Sequence, residues 1–281
     1  MDQITLNNLC QIPVIGYGTF PQKQSLAENV PIAISLGYRM VDSSDNYINE
    51  EFVGEGLKKC AEEDIVVVSK FSQPLRSHEL EKCFLESKKK LGGHLNVYLL
   101  HWPYPFLWRK LWRKMEDLYF QGKCDAIGVC NFDEGYLRQL LKTCRIKPAI
   151  NQFERHPLFP QHQLKKLCEQ NGIQVMSYSP LARHDEALFG SSVLKQLAEK
   201  YNKTIGQIIL RWDVDTGCIP IPASASESHM KENIDVFSFS LEQDEIDSIS
   251  SMDSGRRIRF DPRRRFTLRQ KLSFLRESMK L

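Results

Sequence analysis

Short runs of apolar and β-branched residues recur along the chain: Met40 to Asp42, Ile65 to Val68, Val97 to Leu100, Ala126 to Val129, Ala149 to Gln152, Gln174 to Tyr178 and Cys218 to Ile221. Between them, apolar residues fall at helical spacing, as from Leu80 to Leu91, Leu137 to Cys144 and Leu164 to Cys168. With an early strand near Gly16-Tyr17-Gly18-Thr19, eight strand–helix units follow one another. That alternation implies parallel strands covered by helices. A closed barrel and an open doubly wound sheet share the same periodicity, so the polar residues must discriminate. Asp42, Lys70, His101, Asn131, Gln152, Tyr178 and Ser224 each fall at or just after the C-terminal end of a different strand. A closed barrel gathers those ends around one mouth, where barrel enzymes keep their chemistry, whereas an open sheet would spread them along an edge. The expected fold is therefore α/β, a (β/α)8 barrel of the TIM type.

Two short apolar pieces flank an Asn-Asn pair from Leu6 to Pro13, which reads as an N-terminal β-hairpin able to plug the barrel's lower end. At the other end the composition shifts near Gly255, and residues 255–281 form a basic extension. There Leu268, Leu272, Leu275 and Met279 fall on one helical stripe among arginines and lysines. The stripe suits a closing helix packed on the barrel flank or over part of the mouth; the basic face suits contact with anionic lipid, an acidic partner or a second subunit. A chain of 281 residues is close to the usual size of such a barrel, so residues 1–281 are expected to form one domain.

The formal charge of +3 is too small to imply a nucleic-acid partner. The eight cysteines show no C-x-x-C pair and no metal-like spacing, which points to free thiols in a reducing compartment. The N-terminal residues lack the parts of a secretory signal, and no apolar run is long enough to span a membrane. A cytoplasmic protein with a small-molecule substrate is the expectation.

Asp42, Tyr47, Lys70 and His101 lie near adjacent strand ends. Singly, an Asp after a strand is usually a helix cap and a strand-end Lys a solvated charge. Jointly they form a proton-donating set. A tyrosine, with a reference pKa of about 10, keeps its proton at neutral pH, and a neighbouring ammonium is expected to make its release easier. Lys70 would supply that charge, Asp42 would orient it, and His101 would hydrogen-bond a carbonyl oxygen.

These residues sit in segments that resemble the aldo-keto reductase family, from Leu6 to about Asp253. The matches include Gly16-Tyr17-Gly18-Thr19-Phe20, Gly37 to Tyr47, Asn49 to Gly54, Ser69-Lys70, Leu100-His101-Trp102-Pro103, Ile127 to Phe132, Asn151 to Pro157 and Ser177 to Leu181. The resemblance implies nicotinamide-dependent reduction of aldehydes or ketones without a metal, with Tyr47 as proton donor and Asp42, Lys70 and His101 completing the tetrad. It implies that Cys130, Asn131 and Gln152 hold the carboxamide, that Tyr178 stacks on the ring, and that Ser179 and Leu181 line the cofactor's path. Phe20 and Trp102 become an apolar substrate wall, extended by Tyr104 and Phe106. Cys130 stands where a serine is usual, and a thiol is the weaker donor.

Two departures fall at the cofactor's far end. The family pattern has lysine where Ala223 stands and arginine where His229 stands, both facing the phosphate that distinguishes NADPH from NADH. Ser224, Glu232 and Asn233 still match phosphate- and adenine-contacting positions, and Arg183 offers a replacement cation. NADPH is the expected cofactor, with NADH or dual use made accessible by Ala223 and His229. The alternative is a non-catalytic cofactor-binding regulatory or structural protein on the same barrel, which the intact tetrad argues against.

Overall fold

The computed structural model describes residues 2–62 and 64–281. Strands β1 (Gln3–Thr5) and β2 (Gln11–Pro13) pair antiparallel as the N-terminal hairpin. Eight parallel strands follow: β3 (Tyr17–Gly18), β4 (Met40–Asp42), β5 (Val66–Phe71), β6 (Val97–Leu100), β7 (Ala126–Cys130), β8 (Ile150–Glu154), β9 (Gln174–Tyr178) and β10 (Ile219–Ile221). Each neighbours the next in chain order. The ring closes where Gly16 N–H donates to the Pro220 carbonyl at 3.1 Å and Gly18 N–H to Pro222 at 2.9 Å, with Gly18 bridging Ala223 in parallel. A Cβ at Gly18 would meet the Ile221 carbonyl oxygen at 3.0 Å and that of Pro222 at 3.3 Å, so glycine suits this close approach of first strand to last.

The strands are buried on both faces, which is why they read as apolar runs without a strict alternation. Met40, Val68, Leu99, Ile150, Met176 and Ile219 fill the interior together with Leu6 and Ile12 of the hairpin region, so the hairpin does seal one end. The opposite faces, including Val67, Phe71, Tyr98 and Leu100, pack under the helices with Leu111 and Trp112. Among the described residues no helix is long and apolar enough to cross a membrane.

The extension forms a helix, Leu268–Ser278, opened by a capping box between Thr267 and Gln270. It docks beside the turn Pro74–Glu79, but not by the expected stripe. Leu268 and Met279 are 75% and 73% exposed, and Leu272 and Leu275 also face outward. The inward face is Phe274, Glu277 and Ser278, continued by Phe266 before the helix. Phe266 and Phe274 meet Tyr104 with ring centroids 5.4 and 5.7 Å away. Helical periodicity shows which residues share a face, not which face turns inward, and here the aromatic face has the larger apolar area to bury. Glu277 fastens the helix by accepting from Ser77 Oγ at 3.0 Å, His78 Nδ1 at 2.9 Å and Lys280 Nζ at 2.9 Å. Burial alone would raise its carboxyl pKa; Lys280, His78 and Ser77 overcome that and hold it at about 2.

Candidate active site

The strand ends open on a cleft of about 410 Å³. β4 delivers Asp42, and a 3-10 turn over Asp45–Tyr47, started by Ser44 accepting from Asn46 N–H, turns Tyr47 back over the strand end. β5 delivers Lys70, which is fully buried. Its Nζ donates to Asp42 Oδ1 at 2.6 Å and to the Ser43 carbonyl at 2.7 Å, and lies 3.4 Å from the Tyr47 hydroxyl. Burial disfavours the ammonium, but Asp42, Tyr47 and Cys130 outweigh it and lift the lysine's pKa above its ordinary value. His101, just past β6, places Nδ1 3.1 Å from Ser44 Oγ and 2.5 Å from Ser72 Oγ. Burial first, then Lys70 and Arg265, keep its pKa well below the usual range, so the ring is neutral. The four expected residues are thus brought together. Lys70 favours the phenolate of Tyr47 as expected, but it is not the largest influence on that group. Burial, the larger influence, pushes it up to about 12, and Lys70 only pulls against that.

Asn131 and Gln152 line the cleft from β7 and β8. Asn131 Oδ1 accepts from the Tyr178 hydroxyl at 2.6 Å, and Gln152 Nε2 donates to Asp42 Oδ2 at 2.8 Å. Ser179, Leu181 and Arg183 continue the same wall after β9. Cys130 does not reach the cleft; its buried sulfur accepts from Asn131 Nδ2 at 3.1 Å and sits behind the amides. Ser224, His229, Glu232 and Asn233 also lie outside it, in the loop after β10 and on the helix Glu227–Ile234. The hydroxyl of Ser224 is engaged locally, accepting from Ser226 N–H at 3.0 Å.

Phe20 and Trp102 do form a wall, the Phe20 ring lying 5.0 Å from that of Tyr47. Tyr104 and Phe106 do not extend it. Tyr104 is buried beneath the C-terminal extension and Phe106 faces outward. The extension supplies Arg259, Phe260 and Arg265 instead, three lining residues that sequence reasoning missed. Nothing in the periodicity marks them, because they precede the tail helix in an irregular stretch whose path depends on Glu154. That buried carboxylate, at the end of β8, accepts the backbone N–H groups of Ile258 at 2.5 Å and Arg259 at 3.0 Å.

A buried ammonium beside a half-buried phenol, a neutral imidazole and two amides, on a closed parallel barrel, defines a proton-donating barrel enzyme. Comparison with known proteins gives the family. The aldo/keto reductase family matches residues 14–254. The chain is 38% identical over 267 residues to the glyoxal reductase of Bacillus subtilis (strain 168), covering 93% of this chain and 96% of that protein. Among solved structures, an aldo-keto reductase from a deep-sea metagenome library superposes with a TM-score of 0.88 at 34% identity, covering 92% of this chain and 97% of that one. The Bombyx mori aldo-keto reductase in complex with NADP gives 0.86 at 30%, covering 92% and 95%. The chain belongs to the aldo/keto reductase family. It is an oxidoreductase that reduces carbonyl groups with a nicotinamide cofactor. The cleft's donor set suits that cofactor: two primary amides able both to donate and to accept stand beside the aromatic Tyr178, as a flat ring bearing a carboxamide demands.

Proposed function

We propose that Tyr47 is the proton donor of this reductase, acting on aldehydes and ketones bound between Phe20 and Trp102. When bound, NADPH supplies the hydride. The observation that carries the reading is the Lys70 ammonium 3.4 Å from the Tyr47 hydroxyl inside a pair with Asp42. At neutral pH the phenol holds its proton; as the substrate oxygen gains charge, Tyr47 gives that proton up and Lys70 stabilises the phenolate left behind. Asp42 keeps Lys70 charged and oriented. His101 is neutral, and its Nε2-protonated tautomer, with Nδ1 taking a serine hydroxyl proton, is the one that positions the carbonyl oxygen.

Asn131 and Gln152 hold the carboxamide, Tyr178 fixes the ring face, and Ser179, Leu181 and Arg183 follow the pyrophosphate. Cys130 acts through Asn131 rather than by touching the cofactor. Ser224, His229, Glu232 and Asn233 contact the adenosine end, with NADPH preferred and NADH accessible because Ala223 and His229 bring no permanent cation there. Residues 1–281 work as one unit. The eight free cysteines suit a reducing cytoplasmic setting. The relative named for glyoxal makes small reactive aldehydes the first substrates to try. The test is Tyr47→Phe, which is expected to lower kcat for aldehyde reduction by about 10²-fold or more while NADPH affinity is retained. Near-normal turnover would remove Tyr47 from the role.

We propose a separate contact for the tail. Leu268, Leu272, Leu275 and Met279 face outward among Arg269, Lys271 and Arg276, a charge pattern complementary to an acidic surface, which this helix face rests against.

A further inference from the structure

The stretch between the barrel and the tail helix is rich in arginine, and its arginines divide into two groups. Arg256 pairs with Asp185 at 2.7 Å, Arg257 with Glu154 at 3.9 Å, Arg263 with Asp133 at 2.6 Å and Arg264 with Asp261 at 3.9 Å. Arg259 and Arg265 have no carboxylate within 4.0 Å among the described residues. These same two line the cleft.

Both are held by aromatic faces. The Arg259 guanidinium lies 5.4 Å from the Phe20 ring centroid and the Arg265 guanidinium 5.4 Å from that of Trp102, and they flank Phe260 at 5.9 and 4.8 Å. Stacking uses the flat face of a guanidinium and leaves its edge of N–H donors free to meet a planar anion. Arg265 Nε is buried with no hydrogen-bond partner, a desolvated donor of the kind that folded proteins normally satisfy. The position of Arg259 is not left to chance, since Glu154 fixes its backbone N–H. Arg183, by contrast, follows Tyr178 on the side of the cleft assigned to the cofactor.

We propose that Arg259 and Arg265 form an anion-recognising subsite over the substrate wall, selecting carbonyl compounds that carry a carboxylate on their apolar body. The proposal rests on reading the cleft as the carbonyl-reducing site. It adds a charged anchor to a wall that is otherwise aromatic. A carboxylate held there satisfies the two guanidiniums while the apolar body lies against Phe20 and Trp102, and the carbonyl faces Tyr47 and His101. Both arginines follow the segment that the family model matches, which ends at residue 254.

The experiment compares two probes of similar shape, 4-carboxybenzaldehyde and methyl 4-formylbenzoate, with the full chain and NADPH. The variants are Arg259→Met, Arg265→Met and the pair together, methionine preserving apolar packing, and Arg259→Lys with Arg265→Lys to restore charge. The ratio of kcat/KM for the acid over the ester is expected to fall about 10-fold or more per arginine and to recover in part with lysine. KM for the acid alone is expected to rise with ionic strength. An unmoved ratio overturns the proposal. So does a loss of NADPH affinity with the ratio unmoved, which would assign the arginines to the cofactor. If the wild-type chain turns over neither aldehyde, the reductase reading fails. Calorimetric binding of 4-(hydroxymethyl)benzoate then still decides the subsite: about 10-fold weaker binding to the double methionine variant sustains it, and equal binding overturns it.

Discussion

Ala223 sits at the closure of the barrel beside Gly18, and His229 is exposed on the helix that follows. Neither brings a permanent positive charge to the phosphate that marks NADPH. Ala223→Lys with His229→Arg is expected to tighten NADPH by roughly 10- to 10³-fold, on about 1–2 kcal/mol for each new charge-assisted contact. NADH affinity should respond far less, and the gain should shrink with salt. Equal tightening of both cofactors in fluorescence titrations would detach these positions from the 2′-phosphate. The tetrad was legible in the sequence because strand-end position and side-chain chemistry agreed at Asp42, Lys70 and His101. The direction of the Tyr47 shift was not. It depends on how completely the phenol is desolvated, and a linear sequence carries no measure of that. Arg259 and Arg265 were illegible for a related reason: a long contact from Glu154 fixes the backbone at Arg259, and the distant Trp102 ring receives Arg265.

The helix Leu268–Ser278 buries the opposite face from the one its leucines advertise. Its attachment rests on Phe266 and Phe274 against Tyr104, and on the Glu277 carboxylate. Truncation after Pro262 removes both aromatic rings. Burying two such rings contributes about 3–5 kcal/mol at most, so a fall in Tm of roughly 5–15 °C is expected by calorimetry. The same truncation should abolish binding to vesicles of anionic phospholipid. Loss of a dimer in sedimentation, with vesicle binding absent from the full chain, would instead assign the outward stripe to a second copy. An unchanged Tm would contradict the docking described here. At this scale the sequence identified a helix and its amphipathic period correctly. It missed the orientation, because four aliphatic residues at regular spacing outnumber two aromatics that bury more area each.

The barrel itself was the most legible feature. Eight apolar runs with one polar residue closing most of them admit few other arrangements, and the N-terminal hairpin was marked by its turn residues. Boundaries moved by a residue or two: β5 continues to Phe71 and β8 to Glu154, since strand ends are set by pairing partners that the chain does not announce locally. Closure of the ring joins β3 to the end of β10 through Gly18 and Pro222, which most of the barrel's strands and helices separate. We predict that this joint forms last, so that Phe20 and Ala223, which both line the cleft, take their places only once first and last strands have found each other. Contacts so distant in sequence form slowly. During refolding from urea, helical circular dichroism should therefore recover ahead of NADPH binding, with the binding signal following the slowest phase; cofactor binding that returns with the earliest helical signal would show that the cleft forms before the ring is shut. A half-made barrel would thus be kept from capturing NADPH by its own topology.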